Sequence, residues 1–295
     1  MSQRRDRIDL FGGSLLVGFS FLMGLNQALI KIVNGGLGPV FQAGLRSACA
    51  ILPVLIFALL TRKKLNLADG SLWPGILCGL LFSFEFVLLF QALDYTTVGR
   101  SSVFFYTMPF WVAVAAHVLI PGEGLTRTRV VGLGLAVAGV VLALSDRIAP
   151  LGPKAWIGDL MCLAAAMTWA ALALIMRLSR LNRSSPEMQL LYQLGISAIV
   201  LTALAPLFGD LVRDMSLGIG AIFAFQVLAV VSVGFLGWFW VLSVYPAPQM
   251  ASFSFLSPIF GVICGWLILD EQVTPAVIGA LVLVAVGIYL VNRRG

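Results

Sequence analysis

Charged residues are scarce in this sequence: they make up 11% of the 295 residues, whereas hydrophobic residues make up 60%. Soluble domains carry about 25% charged and roughly 45–50% apolar residues. So few charges cannot cover a water-facing surface, which excludes an ordinary soluble globule, a disordered chain and a nucleic-acid-binding domain. The net charge of +6 comes from short basic clusters beside apolar runs, a pattern typical of membrane topology signals.

The residues that build metal, disulfide and nucleotide sites are also rare. The 4 cysteines fall inside apolar runs without Cys-x-x-Cys spacing, which favours small packing residues over a metal site or a disulfide framework. The sequence contains no P-loop, and its apolar runs contain no carboxylate cluster that could hold Mg²⁺. We therefore expect no enzyme activity, no cofactor and no metal.

Long apolar runs dominate the chain instead. A helix that crosses a bilayer needs about 20 mostly apolar residues, and ten runs approach or exceed this length. Together they leave no room for an extramembrane domain. They cover residues 11–33, 40–60, 72–93, 98–119, 128–145, 158–178, 187–208, 218–242, 248–268 and 275–292.

The basic residues set an orientation for these runs. If the runs alternate in direction, thirteen of the 19 Lys and Arg residues fall on the side of the two termini, five fall on the other side, and Arg46 lies within a span. Basic residues concentrate in cytoplasmic loops. The count predicts cytoplasmic termini, an even number of spans, and a multi-pass protein of the plasma (inner) membrane.

Several short patterns recur at an offset of 147 to 149 residues, which predicts an internal duplication. We expect an all-α integral membrane protein of ten helices, with five-helix repeats at 1–147 and 155–295. Because five is odd, the repeats are inverted, as in many secondary transporters. The recurring pairs are Pro39 and Pro186, Gln42 and Gln189, Pro109 and Pro258, Glu123 and Glu271, and Gly132 and Gly279.

The prolines of spans 4 and 9, and the turns Gly122-Glu123-Gly124-Leu125-Thr126 and Asp270-Glu271-Gln272-Val273-Thr274, carry a family resemblance. Over nearly its whole length, the chain resembles the EamA family of the drug/metabolite transporter superfamily. This resemblance implies a five-plus-five inverted repeat that moves small metabolites, commonly outward. Within the family the chain most resembles the YddG-type amino-acid exporters, which are associated with aromatic amino acids.

Paired helix breaks point to the substrate site. Pro109 and Pro258 lie near the middle of corresponding spans, and each removes a backbone hydrogen bond. The freed carbonyl groups are tolerated only against protein or a wet cavity. Simple packing kinks remain the alternative, but the paired placement favours hinges or helix breaks beside a transport site.

A polar layer is predicted in the outer half of the first repeat. Arg46 and Glu85 lie ~10 Å and ~12 Å below the outer ends of their spans, at 1.5 Å per residue, and Asn26, Gln27 and Tyr106 fall near the same level. Arg46 and Glu85 could form a satisfied internal pair, or they could meet a substrate's carboxylate and ammonium. Two further alternatives are that Glu85 carries a proton and that the side chains snorkel towards lipid headgroups.

Aromatic side chains supply candidate partners for an apolar substrate tail. Trp169 and Trp238 lie within spans 6 and 8, and rings pack favourably against other rings. Core or lipid-facing packing is the alternative for each ring. Tyr192 and Gln193 form a second polar strip on span 7 and are candidates for an inner gate.

We therefore expect a secondary transporter that exports small amphipathic metabolites, foremost amino acids including aromatic ones, by alternating access. A multidrug or quaternary-ammonium exporter is the runner-up, because Glu85 and aromatic rings could cage a cation. A sugar-phosphate exchanger is disfavoured, because only Arg46 is embedded; a membrane enzyme and a channel are the remaining alternatives. Expected partners are a small-molecule substrate and membrane lipid but no nucleic acid, with a monomer favoured and a dimer left open.

Overall fold

The computed structural model describes residues 9–63, 65–67, 69–120, 124, 126–145, 154–234, 237, 241, 244–245, 253 and 255–292. Within these ranges the chain is helical and contains no β-strand, only an isolated bridge between Leu37 and Val212. Trp238 and Glu123 lie outside the described residues. The helices are α1 (Leu10–Asn34), α2 (Pro39–Leu60), α3 (Leu72–Tyr95), α4 (Val98–Phe105), α5 (Met108–Leu119), α6 (Arg127–Ser145), α7 (Ala155–Leu178), α8 (Pro186–Leu204), α9 (Leu217–Phe225, continued by a π-helix over Gln226–Gly234), α10 (Leu256–Leu269) and α11 (Pro275–Asn292).

Local capping explains where several helices begin. Asp9 accepts a hydrogen bond from the Gly12 backbone N–H at the start of α1, at 2.8 Å. The starts of α2 and α8 both carry proline at the first position, where its missing N–H costs nothing. Ser185 also caps α8 by accepting from the Met188 N–H. The equivalent prolines therefore begin equivalent helices in the two halves.

Among the described residues, eight helical segments are long and apolar enough to span a membrane, and α10 and α11 are shorter apolar helices. The segment Val98–Leu119 counts once, although it is broken into α4 and α5. Each predicted run overlaps one of these segments, and the runs at 218–242 and 248–268 continue beyond the described residues. The chain is thus an all-α, multi-pass membrane protein in its described part.

The helix pairing relates the two halves of the chain. Helix α2 packs on α8, and α6 packs on α11, so equivalent helices meet across the molecule. The pairing of α1 with α10 is mirrored by that of α7 with α4 and α5. A Cβ atom added at Gly132 would lie 2.8 Å from the Gly287 carbonyl oxygen, and one added at Gly287 would lie 2.7 Å from the Gly132 carbonyl oxygen. Reciprocal glycines thus allow α6 and α11 to approach closely.

Polar contacts define two ends of the helix bundle. At one end, called the Glu271 end, ion pairs join Lys31 to Glu271 and Asp159 to Arg100; a third joins Asp94 to Arg213.

The opposite end is called the Tyr192 end. There Tyr192 shares a hydrogen bond with Ser71, Lys63 pairs with Glu187, and Ser184 donates to Asp69. These contacts place the beginning of α3 at the Tyr192 end and its last turn at the Glu271 end, so α3 runs the full height of the bundle.

Candidate functional site

The described structure contains an apolar-walled cavity of about 550 Å³. Helices α1 to α7, α10 and α11 contribute to its walls, together with Tyr106 in the break between α4 and α5 and the π-helix that continues α9. Small-molecule sites are typically clefts of about 300–1,000 Å³ that are mostly apolar with a few placed polar groups. The polar side chains that line this cavity are Ser20, Asn26, Gln27, Arg46, Glu85, Tyr106, Arg129, Trp169, Arg177 and Ser257.

The predicted break in span 4 forms one wall of the cavity. Helix α4 ends at Phe105 and α5 begins at Met108, so Pro109 falls in the first turn of α5. The Thr107 hydroxyl donates to the Phe104 carbonyl oxygen at 2.6 Å, which satisfies one of the acceptors that the break frees. Both Tyr106 and Pro109 line the cavity.

Pro258 has a different setting. The sequence predicts a proline in the middle of a span, but the described helix α10 begins at Leu256, so Pro258 lies in a first turn. The backbone N–H that proline lacks would have no intrahelical partner in a first turn in any case. Ser257 lines the cavity, whereas Pro258 is not among its lining residues.

The guanidinium group of Arg46 is held from two directions. It donates to the Asn26 amide oxygen at 3.4 Å, and it lies 4.9 Å and 4.6 Å from the ring centroids of Phe86 and Phe90. Aromatic faces attract a cation, more strongly where water is excluded. Arg46 is 4% exposed, so these contacts present a desolvated positive charge to the cavity.

The carboxyl group of Glu85 faces the same cavity, and its hydrogen-bonding capacity is not fully used. Glu85 is 2% exposed, and its Oε2 atom has no hydrogen-bond partner. Among the ion pairs of the described residues, none joins Glu85 to Arg46. The satisfied internal pair considered from sequence is therefore not present as a direct contact.

Gln27 contributes an oriented amide. The Ser102 hydroxyl of α4 donates to its Oε1 atom at 3.0 Å, while its Nε2 atom is buried without a partner. Since Gln27 lines the cavity, the cavity wall holds an unpaired donor as well as the unpaired acceptor of Glu85.

The remaining wall is apolar and largely aromatic. Trp169 from α7 lines the cavity, and Phe82, Phe86 and Phe105 also contribute. Phe105 meets Tyr106 edge to face at a centroid separation of 5.6 Å, a favoured ring arrangement. The cavity thus joins a charged region to a ring-lined region.

Two predicted site residues lie elsewhere. Tyr192 packs against Gly75 of α3, where an added Cβ atom would lie 2.6 Å from its ring, and its hydroxyl lies 3.1 Å from the Ser71 hydroxyl. Gln193 donates to the Met176 sulfur at 3.5 Å. Neither lines the cavity, because close packing on the glycines of α3 turns this face of α8 into a helix–helix interface. Outside the spans, hydrogen bonds from the Ser71 side chain and backbone lower the pKa of the neighbouring Asp69 carboxyl group.

The structure also reveals charged groups that sequence reasoning missed. Arg129 and Arg177 line the cavity near the Tyr192 end. Arg100 and Asp159 form a buried pair in which Arg100 Nε donates to both carboxylate oxygens at 3.2 Å. The sequence placed Arg100 in an outer loop and did not count Asp159, because charges near span ends are expected to reach water. The available signal in the sequence was that Arg100 and Asp159 carry opposite charges and that each lies close to the outer end of its span.

Comparisons with known proteins agree with this architecture. An uncharacterized transporter, YoaV, of Bacillus subtilis is 24% identical and covers 93% of this chain and 94% of its own length. A probable amino-acid metabolite efflux pump of Escherichia coli is 26% identical over 90% of both chains. A crystal structure that is 18% identical superposes on 94% of this chain and 96% of its own with a TM-score of 0.68, which shows a shared fold.

The family match covers both halves of the chain. The EamA-like transporter family matches residues 10–145 and again residues 156–293. Two successive matches agree with the repeated sequence patterns and with the mirrored helix pairing. This protein therefore belongs to the EamA-like transporter family.

Proposed function

We propose that this chain exports small amphipathic zwitterions, foremost amino acids including aromatic ones, by alternating access. The observation that carries the proposal is the pair of opposite charges, Arg46 and Glu85, which face one cavity without a direct ion pair. A charge buried without a partner costs several kcal/mol. A ligand that carries both an ammonium and a carboxylate would offset that cost for both residues at once.

The cavity contacts support a distinct proposed role for each polar group. The unpaired Oε2 atom of Glu85 accepts from the substrate ammonium, and Arg46 together with the free amide of Gln27 donates to the substrate carboxylate. Asn26 positions Arg46, and Ser102 orients Gln27. This is the hydrogen-bond complement of an α-amino-acid head group.

The apolar part of the cavity suits the substrate tail. Trp169, Tyr106 and Phe105 line the cavity with aromatic rings, and edge-to-face contacts add about 0.5–1.5 kcal/mol per ring pair. The amino-acid metabolite efflux pumps of Escherichia coli and Salmonella typhimurium, each 26% identical to this chain, support the same substrate class.

We further propose ten crossings in two inverted repeats, in the inner membrane with cytoplasmic termini. The mirrored pairing of α1 with α10 and of α7 with α4 and α5 supports two halves related by a two-fold axis. An axis in the membrane plane is the arrangement that lets two halves exchange conformations around a central site. In this proposal the Tyr192 end faces the cytoplasm, which the excess of basic residues on the side of the termini supports.

A quaternary-ammonium exporter is the second candidate, because Glu85, Tyr106 and Trp169 line one cavity. Arg46 weighs against it, since a permanent cation without a carboxylate would approach an uncompensated positive charge.

Counterflow in proteoliposomes tests the proposal with Phe, Trp, Thr, Met, a quaternary ammonium and a sugar phosphate. We expect exchange of the amino acids and loss of at least tenfold in rate for Arg46→Ala and Glu85→Gln, since each leaves one substrate charge unpaired. Ser83→Ala, on α3 but outside the cavity, is the control and should keep its rate. Full rates for both cavity variants on every substrate would refute the site, and exchange of the quaternary ammonium alone would favour the second candidate.

A further inference from the structure

The connection between α10 and α11 reaches across the molecule to the broken helix. Glu271 accepts hydrogen bonds from the backbone N–H groups of Val98 and Gly99, at 2.9 Å and 3.2 Å, and so caps the N-terminus of α4. Lys31 of α1 donates to the same carboxylate at 3.0 Å and to the Thr96 carbonyl oxygen at 2.7 Å. One carboxylate of the second half thus ties together two helices of the first half.

The position of this carboxylate allows it to hold α1 and α4 together reversibly. Its side chain is 7% exposed, whereas that of Lys31 is 29% exposed. A carboxylate at a helix N-terminus interacts favourably with the helix dipole and with the unpaired N–H groups of the first turn. The contact is therefore strong enough to hold α4, yet it is close enough to water to be released and solvated.

The cavity extends towards the opposite end of the bundle. Arg129, Arg177 and Val291 line it, and these residues stand at the ends of α6, α7 and α11 that lie on the Tyr192 side. Towards the Glu271 end, the cavity reaches Ile30 of α1, which is fully buried. The barrier between Ile30 and the end of α1 at Asn34 is four residues thick, or ~6 Å at 1.5 Å per residue.

We propose that Glu271 is the latch that keeps the Glu271 end of the transport pathway closed while the cavity faces the Tyr192 end. This rests on the alternating-access mechanism proposed above. Substrate leaves through the Glu271 end when the carboxylate releases Lys31 and the α4 N-terminus, so that α1 and α4 can separate from α10. Loss of the latch therefore shifts the conformational equilibrium towards the state that is open at the Glu271 end.

The latch can be tested by measuring how accessible a cavity residue is to a labelling reagent, provided that this residue makes no contact with Glu271. Ser257 is 5% exposed and lines the cavity, so Ser257→Cys, in a Cys49→Ser background that removes the exposed native thiol, provides the reporter. A membrane-impermeant maleimide is applied to intact cells and, separately, to inside-out vesicles. We expect Glu271→Gln to raise the labelling rate from the outside by about tenfold, because it removes charge-assisted hydrogen bonds. The rate from the inside should fall.

Two further variants keep the test decisive. Asp270 is an exposed residue of the same turn. The control variant Asp270→Asn should therefore leave both labelling rates unchanged. Lys31→Met removes the ion pair but not the helix cap; it should give a smaller shift in the same direction, and it supplies the test if Glu271→Gln does not fold. Unchanged outside labelling in both latch variants would overturn the proposal, as would an equal change in the Asp270→Asn control. Because labelling needs no substrate, this result is independent of whether amino acids are transported.

Discussion

The interface between α6 and α11 offers the sharpest test of the packing. Gly132 faces this interface, and a Cβ atom there would lie 2.8 Å from the Gly287 carbonyl oxygen and 2.9 Å from Leu290 Cβ. Gly134, two residues along the same helix, is exposed and has no atom within 4 Å of an added Cβ. Gly132→Ala and Gly134→Ala therefore make the same chemical change in tight and open surroundings.

The magnitude follows from these distances. An alanine stabilises a helix by about 0.8–1.0 kcal/mol relative to glycine, and both variants gain this term. Only Gly132→Ala must push apart backbone and side-chain atoms, and overpacking of this kind costs about 1–3 kcal/mol. We therefore expect Gly132→Ala to be less stable than Gly134→Ala by about 1–3 kcal/mol, which corresponds to about 2–10 °C in the midpoint of thermal unfolding.

The assay is thermal unfolding in detergent, followed by the fraction of monodisperse protein at a fixed heating rate, since membrane-protein unfolding is often irreversible. Wild type and both variants are compared in one detergent. Equal midpoints for the two variants would refute the close approach of α6 and α11 at this position. A higher midpoint for Gly132→Ala than for Gly134→Ala would do so as well.

Three further predictions follow from contacts of single side chains. Arg100→Ala should lower the free energy of unfolding by about 3–5 kcal/mol, because it leaves the buried carboxylate of Asp159 without its cationic partner, although the Thr96 hydroxyl still donates to it; normal thermal stability would contradict that pairing. Tyr192→Phe should cost about 1 kcal/mol through its lost hydrogen bond with Ser71 and leave counterflow rates intact, and a large loss of transport would restore its predicted gating role. Trp169→Ala should raise the KM for Trp and Phe several-fold more than the KM for Thr; equal changes would show that its ring does not contact the substrate tail.

Helix geometry explains why much of the cavity could be predicted. Counting 1.5 Å per residue from the span ends put Arg46 and Glu85 at one depth, and the structure places both on one cavity with Asn26, Gln27 and Tyr106. Depth is a property of one helix and its position in the membrane, so it needs no knowledge of the neighbouring helices. The substrate-binding roles of these residues remain predictions.

Rotation about a helix axis could not be predicted in the same way. Tyr192 and Gln193 were expected beside the transport site, but Tyr192 packs on Gly75 of α3 and Gln193 donates to the Met176 sulfur of α7. The buried Arg100–Asp159 pair could not be predicted from the sequence for a related reason. Its two members are 59 residues apart in sequence, and only the approach of α4 to α7 brings them together.

The sequence by itself determined that this is an all-α membrane protein with two similar halves and a break before Pro109. These features depend on local hydropathy, on proline chemistry and on internal repetition. Only the tertiary structure decided which polar groups share the cavity, which side chains pack between helices, and that Glu271 caps α4. Those outcomes depend on how helices distant in sequence rotate and pack against one another, and close packing at a few glycines selects one arrangement from many that the same pattern of apolar runs would allow.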